Sequence, residues 1–252
     1  YGNLLKRGIE AVYSIIMAIV TFVLRLTPYG ILAIMASTLA TSDFAAIWTL
    51  GKFLLASYAA LITMYLIHLI ILGVLGVNPV RYVKKTLEVL IFAFTSRSSA
   101  GSLPLNIQTQ TQRLGVPEGI ANFSATFGLS IGQNGCAGIY PAMLAIMVAP
   151  VAHVHIDFQF VITLIAVVII SSFGVAGVGG GATFASILVL STLNLPVALA
   201  GVLISIEPLI DMGRTALNVN DSILAGTGTA RLTKNWDKQT FESNNYGELS
   251  SN

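Results

Sequence analysis

Asp211, Arg214, Thr215 and Asn218 stand at i, i+3, i+4 and i+7, with Glu207 one turn upstream; Glu207, Asp211 and Arg214 fall in a stretch from Pro196 to Ala216 that is otherwise hydrophobic enough to cross a bilayer. At about 100° per residue the five fall on one face of a helix. An ionisable side chain at mid-membrane costs roughly 3 kcal/mol or more, so it faces a protein interior or a water-filled path. The stripe offers carboxylates, a guanidinium, a hydroxyl and an amide. Together these supply an anion for an ammonium and donors for a carboxylate, which an amino-acid-like zwitterion requires. The same spacing also fits a salt bridge that merely ties two helices together.

These side chains need a scaffold, and the composition says which kind. Apolar residues make up 55% of the 252-residue chain and charged residues only 10%. A soluble domain carries about a quarter charged residues, so the chain reads as an all-α integral membrane protein. A net charge of +2 with no basic run excludes nucleic acid as a partner. The single Cys136 excludes an internal disulfide and reads as a small buried residue. The chain starts without Met in a charged amphipathic segment, which reads as the C-terminal part of a longer protein.

Hydropathy divides the chain as follows. Residues 1–10 form a pre-membrane segment, 11–77 two scaffold spans, 80–110 a first interrupted segment and 115–152 a discontinuous span. Residues 158–195 form a second interrupted segment, 197–232 a last span with the polar stripe, and 233–252 a solvated cytoplasmic tail. A full span needs about 20 residues, so the apolar runs either side of Gly174 are marginal alone. The first interruption is Ser98-Ser99-Ala100-Gly101-Ser102, and the second is Ala176-Gly177-Val178-Gly179-Gly180-Gly181-Ala182. Irregular backbone at membrane depth is tolerated only where protein buries it or it lines a cavity. Paired broken segments point to a transporter binding site, and small residues there let backbone amides approach a ligand. Close helix packing is the plainer use of such glycines.

Lys and Arg mark the cytoplasmic side. Lys6, the loop of Arg81, Lys84 and Lys85, Arg113, and the tail with Arg231 and Lys234 lie inside, and His153 to Asp157 outside; Lys52 dissents. On that count the two interrupted segments are re-entrant helical hairpins of opposite orientation, an inverted arrangement suited to alternating access.

From about Ile9 to Lys234, these segments resemble the C-terminal half of the dicarboxylate/amino acid:cation symporters, the glutamate transporter superfamily. The resemblance rests on Ser96-Arg97-Ser98-Ser99-Ala100-Gly101-Ser102-Leu103-Pro104, on Gly177-Val178-Gly179-Gly180-Gly181, and on Asp211, Arg214, Thr215 and Asn218 in the last helix. The first tip and Ile131-Gly132-Gln133-Asn134-Gly135-Cys136-Ala137-Gly138 are most similar to the bacterial L-cystine uptake branch. The resemblance implies a multi-pass cell-membrane symporter, homotrimeric at full length, that imports an amino acid by alternating access. It implies that Asp211 takes the substrate ammonium, with Thr215 in support. Ser98, Ser99, the backbone at Val178 and Gly180, and Asn218 would take the carboxylate. Arg214 would reach a distal carboxylate. Gly132, Asn134, Asn218 and Asp221 would hold a coupling cation, Na+ or H+, with Ser222 the ungapped alternative to Asp221.

The family's usual Asn-Met-Asp-Gly-Thr stands here as Gly132-Gln133-Asn134-Gly135-Cys136. One carboxylate is lost, and a hard cation prefers charged oxygen, so fewer bound ions are expected. Alternatives are an acidic amino acid or C4-dicarboxylate as substrate, or an anion channel with Arg97 and Arg214 as its selective charges. No Ser/His or metal-ligand constellation supports an enzyme, and His68 reads as an interhelical hydrogen-bonding residue.

Overall fold

The computed structural model describes residues 44–174, 180–197, 203 and 206–243, with isolated positions between 8 and 36. The chain divides into two compact units, Tyr1–Trp48 and Thr49–Asn252. In the first, the described positions are helical, and Val12, Ile15, Phe22, Tyr29 and Leu32 are exposed. The expected span from Ala11 to Ala40 therefore lies mostly outside the described residues.

The described secondary structure is helical throughout, as the composition predicts, with no strand among the described residues. Helix α1 is Phe44–Val74, α2 Pro79–Ser96 and α3 Leu103–Gln108, which runs on as a π-helical turn, π1, at Thr109–Arg113. Helix α4 is Glu118–Phe127; a second π-helical turn, π2 at Asn134–Ile139, opens α5 at Tyr140–Val151. Then come α6 (Phe158–Ser172), α7 (Gly181–Thr192), α8 (Glu207–Leu232) and α9 (Lys238–Glu242). Leu50–Val74 and Asn134–Val151 are long and apolar enough to cross a membrane. Leu55, Ile62, Leu66 and Ile70 on α1, and Ile162, Ile165 and Ile169 on α6, are exposed apolar side chains at helical spacing. Apolar surface of that extent asks for an apolar neighbour, and a bilayer supplies one.

Local chemistry sets the helix ends. The Asn78 side chain accepts from Arg81 N at the start of α2, beside Pro79 at the first helical position. Asp157 caps α6 by accepting from Phe160 N at 2.7 Å. Helix α2 ends on Arg97, whose φ of 54° puts a non-glycine residue in the left-handed region. That conformation costs about 1–2 kcal/mol and persists only when its surroundings hold it.

The turn from Arg97 to Ser102 reverses the chain, and α3–π1 returns alongside α2. At the open end Lys85 Nζ donates to the Arg113 carbonyl at 2.8 Å, and Arg113 Nη2 donates to Glu88 Oε2 at 2.6 Å. Both arms thus begin and end together. Helices α6 and α7 pack against each other. Helix α8 sits among α2, α4 and π2 and is buried on nearly every face despite its polar sequence. A ladder of amides and hydroxyls joins these elements. Asn106 Nδ2 donates to Ser222 Oγ, Gln110 Nε2 to Asn106 Oδ1, and Ser124 Oγ to Gln110 Oε1.

In the described part of the stretch after Lys234, most residues are exposed, and Trp236 and Phe241 anchor it. Trp236 Nε1 donates to the Leu114 carbonyl at 2.7 Å, Asp237 N to the Gly115 carbonyl at 2.9 Å, and Phe241 is 2% exposed within the core. Lys85 Nζ donates to the Thr240 carbonyl as well, and Arg81 Nη1 to that of Glu242. Asp237 caps α9, and hydrogen bonds, led by the one from the Thr240 hydroxyl, hold its carboxyl below the usual carboxylate range. Two aromatic side chains in a polar run suffice for this docking, because each finds an apolar or hydrogen-bonding seat at the root of the α2–α3 pair.

Candidate functional site

The stripe on α8 folds into one charge cluster. Arg214 is fully buried; its Nη2 donates to Asp211 Oδ1 at 3.0 Å and also to Glu207 Oε1. Its guanidinium lies over the Tyr140 ring, 4.2 Å from the centroid, a cation–π contact in a dry setting. Among the described residues, Arg214 Nε and Nη1 have no hydrogen-bond partner. Buried donors left unmade cost about 1–3 kcal/mol each, so the native arrangement carries a debt that a bound anion would relieve.

Arg97 stands in the first tip. The structure pairs it with Asp211: Nε and Nη2 of Arg97 lie 3.0 and 2.9 Å from Asp211 Oδ2. Asp211 is thus gripped from two sides, by Arg214 on its own helix and by the left-handed residue at the tip of the α2–α3 pair. Glu207, Asp211, Arg97 and Arg214 together are neutral, as a buried cluster must be. The signal was present in the sequence, since a lone arginine in an apolar segment demands an acid. Periodicity gives partners one turn away, and this one lies 114 residues off.

The other expected ligands lie at the first tip, on α8 and at the start of α7. Ser99 is buried, and Ser98 Oγ accepts from Gly101 N at 2.9 Å, which tightens the tip. Thr215 is buried on α8. Gly180 caps the start of α7 with φ 87°, a conformation that suits glycine. Val178 lies outside the described residues. The nearby space bounded by Ser57, Tyr140, Met143 and Arg214 is too small for a water molecule. A separate cavity of about 180 Å³ between Tyr58, Tyr65, Leu90 and Leu217 is apolar and offers a zwitterion nothing.

Asn218 faces the π2 turn. Its Oδ1 accepts from Gly135 N at 2.7 Å, and its Nδ2 donates to Gln133 Oε1 at 2.9 Å and to Cys136 Sγ at 3.1 Å. Gly135 is the residue that makes this possible. A Cβ there would stand 2.9 Å from Arg214 Cα and 3.0 Å from Arg214 O, so only glycine lets π2 lie against α8. π-turns within helices gather at functional sites, and this one leaves backbone between Gly128 and Gln133 out of the helix. Gly132, with φ 97°, makes the bend.

Asp221 stands on another face of α8. His68 Nε2 lies 3.2 Å from Asp221 Oδ1, and the backbone and side-chain amides of Asn134 face the same carboxylate. Among the described residues, Asp221 Oδ2 is buried with no hydrogen-bond partner. Ser222 Oγ accepts from Asn106 Nδ2 and donates to the Val219 carbonyl, which leaves it one lone pair. The structure thus brings Asn134, Asn218 and Asp221 around one bend of the chain, and Glu207, Asp211 and Arg214 around another.

Comparison with known proteins adds the following. The sodium:dicarboxylate symporter family matches residues 2–232. The chain is 66% identical over 242 residues to a Bacillus licheniformis protein named "L-cystine uptake protein TcyP", covering 96% of this chain and 52% of that protein. Proteins of the same name from Shouchella clausii and Bacillus cereus are 66% identical over 241 residues and 59% identical over 253. Those alignments cover 95% and 99% of this chain, and 52% and 54% of the two relatives. The chain spans about half the length of the curated relatives it matches.

Proposed function

Because the chain belongs to the sodium:dicarboxylate symporter family, we propose that it is the substrate- and cation-binding part of a secondary active transporter that imports L-cystine by alternating access. Membership in that family makes it part of a transporter and not of an enzyme. The observation that carries the substrate reading is Arg214: a fully buried guanidinium with two unpartnered nitrogens, one hydrogen bond from an intramembrane carboxylate. A zwitterion supplies the complement of that pair. Its ammonium displaces Arg97 from Asp211 and its carboxylate meets donors that now have no partner. Cystine carries an amino-acid group at each end, so Arg214 takes the carboxylate of the far group. Thr215, Ser98, Ser99 and the backbone at Val178 and Gly180 take the near group.

The α2–α3 and α6–α7 pairs are the two re-entrant hairpins, entering from the cytoplasmic and the outer side respectively. The distribution of Lys and Arg supports this, as does the meeting of Lys85 with Arg113 at the root of the first. On the same count the C-terminus is cytoplasmic; membership in the symporter family, not the charge count, carries the reading of a homotrimer of the full-length protein in the cell membrane. Sodium is the coupling ion, held by Asp221 Oδ2 with oxygens of Asn134 and of the bend at Gly132. Asn218 serves the cation site as the strut that fixes π2. With Asn134 in place of a carboxylate, fewer sodium ions are coupled than in relatives that keep the acid.

The test is uptake of radiolabelled cystine by the full-length protein in proteoliposomes with an inward sodium gradient. Accumulation above the external concentration, with little competition from aspartate, glutamate or C4-dicarboxylates, is expected. Strong competition by dicarboxylates moves the substrate to the acidic class. Flux without accumulation supports a channel.

A further inference from the structure

His68 belongs to none of the groups that touch the charge cluster, yet it is buried in the middle of α1 with both ring nitrogens engaged. Tyr82 OH lies 2.9 Å from Asn220 Oδ1, Asn220 Nδ2 lies 3.0 Å from His68 Nδ1, and His68 Nε2 lies 3.2 Å from Asp221 Oδ1. Tyr82, His68 and Asn220 are 0%, 3% and 0% exposed. The orientation of the Asn220 amide sets the direction of this chain. An amide oxygen only accepts, so the Tyr82 hydroxyl donates to Asn220. The amide nitrogen only donates, so His68 Nδ1 accepts, and the imidazole proton sits on Nε2, aimed at the carboxylate. The opposite amide orientation would turn an imidazole lone pair toward Asp221.

Three elements thus form one chain of contacts that ends on the Asp221 carboxylate: α2 through Tyr82, α8 through Asn220, and α1 through His68, the one of the three that touches it. One oxygen of Asp221 is occupied by His68, and the other, Oδ2, is buried with no hydrogen-bond partner among the described residues. We infer that His68 is the positioning residue of the cation site: its Nε2–H pins Asp221 Oδ1 so that Oδ2 alone turns toward a monovalent cation, with Tyr82 and Asn220 fixing the tautomer that does so. This rests on the assignment of Asp221 as a cation ligand in the proposed transporter. The chemistry is that of outer-sphere partners elsewhere, which orient a ligating carboxylate and whose removal typically costs about 10–100-fold in metal affinity.

The inference is tested on purified full-length protein by thermal unfolding across a series of sodium concentrations, with choline as the control cation, and by sodium-dependent cystine uptake in parallel. A cation that binds the folded state raises the unfolding temperature with its concentration, so the midpoint of that rise reads affinity without transport. His68→Leu is expected to raise the sodium concentration at the midpoint at least about tenfold. His68→Gln, whose amide N–H reaches the place of Nε2–H, should stay within about threefold, and Tyr82→Phe should fall between. The cystine KM at saturating sodium should be unchanged in all three. Equal shifts for Leu and Gln, or no shift for Leu, overturn the inference. Should the Leu variant not fold, the contrast between His68→Gln and Tyr82→Phe decides it, and equal midpoints for those two overturn it. Wild-type protein without sodium-specific stabilisation removes both the cation assignment and the role of His68. Sodium-specific stabilisation with no cystine uptake refutes the transport reading and leaves His68 in place.

Discussion

The grip of Arg97 on Asp211 can be measured with a double-mutant cycle. Arg97→Met keeps the length of the side chain and removes both contacts to Asp211 Oδ2. The two side chains are only 15% and 10% exposed, so solvent screens the pair little. Charge-assisted hydrogen bonds contribute about 1.5–3 kcal/mol, and we expect Arg97→Met to cost that much in unfolding free energy. It also relieves the left-handed strain at Arg97 only if the tip relaxes, which would lower the figure. Asp211→Asn should cost more, about 3–5 kcal/mol, because it leaves Arg214 buried against Glu207 alone. The double variant should fall short of the sum by about 1.5–3 kcal/mol, since the same contact would otherwise be counted twice. Denaturant unfolding of the purified full-length protein supplies the four numbers, and cystine uptake by Asp211→Asn should be nearly abolished. A coupling below about 0.5 kcal/mol, the level of independent sites, would show that the tip is not held by this pair. The account of an ammonium competing with Arg97 would then fail.

Gly135→Ala should destabilise by roughly 1–3 kcal/mol and weaken uptake, because its Cβ meets the α8 backbone; a variant as stable and active as the parent would refute the close approach. Arg214→Ala should shift selectivity from cystine toward short neutral amino acids, read by competition with serine and alanine; an unchanged preference would make Arg214 structural. Single cysteines at Ser99 and Gly180 should be labelled by impermeant thiol reagents from the cytoplasmic and the outer side respectively, with cystine protecting both. Labelling from one side alone refutes the opposed hairpins.

Periodicity exposed what lies along one helix and little of what lies across helices. The stripe of Glu207, Asp211, Arg214 and Asn218 was legible because its members share α8, and so was the break near Gly132, where small residues interrupt an apolar run. The stripe looked open to a ligand. In the structure its charges satisfy one another, because a buried carboxylate cannot wait unpaired for substrate. Arg97 to Asp211 and His68 to Asp221 are contacts between distant segments, and a single sequence holds no measure of such distances. The aromatic anchors Trp236 and Phe241 were hidden for a different reason. A polar run reads as solvated until the surface it covers is known.

The docked segment has a consequence for how the chain is made. Lys85 Nζ bonds to a carbonyl 155 residues further on, and Trp236 seals a carbonyl 122 residues before it. Translation at about 5–20 residues per second separates Lys85 from Thr240 by on the order of ten seconds. Throughout that interval the root of the first helix pair has left the ribosome with an ammonium short of one of its carbonyls and the hydrophobic seat of Phe241 uncovered. The first pair can therefore reach its final packing only as one of the later events of biogenesis, after α8 has been threaded beside it.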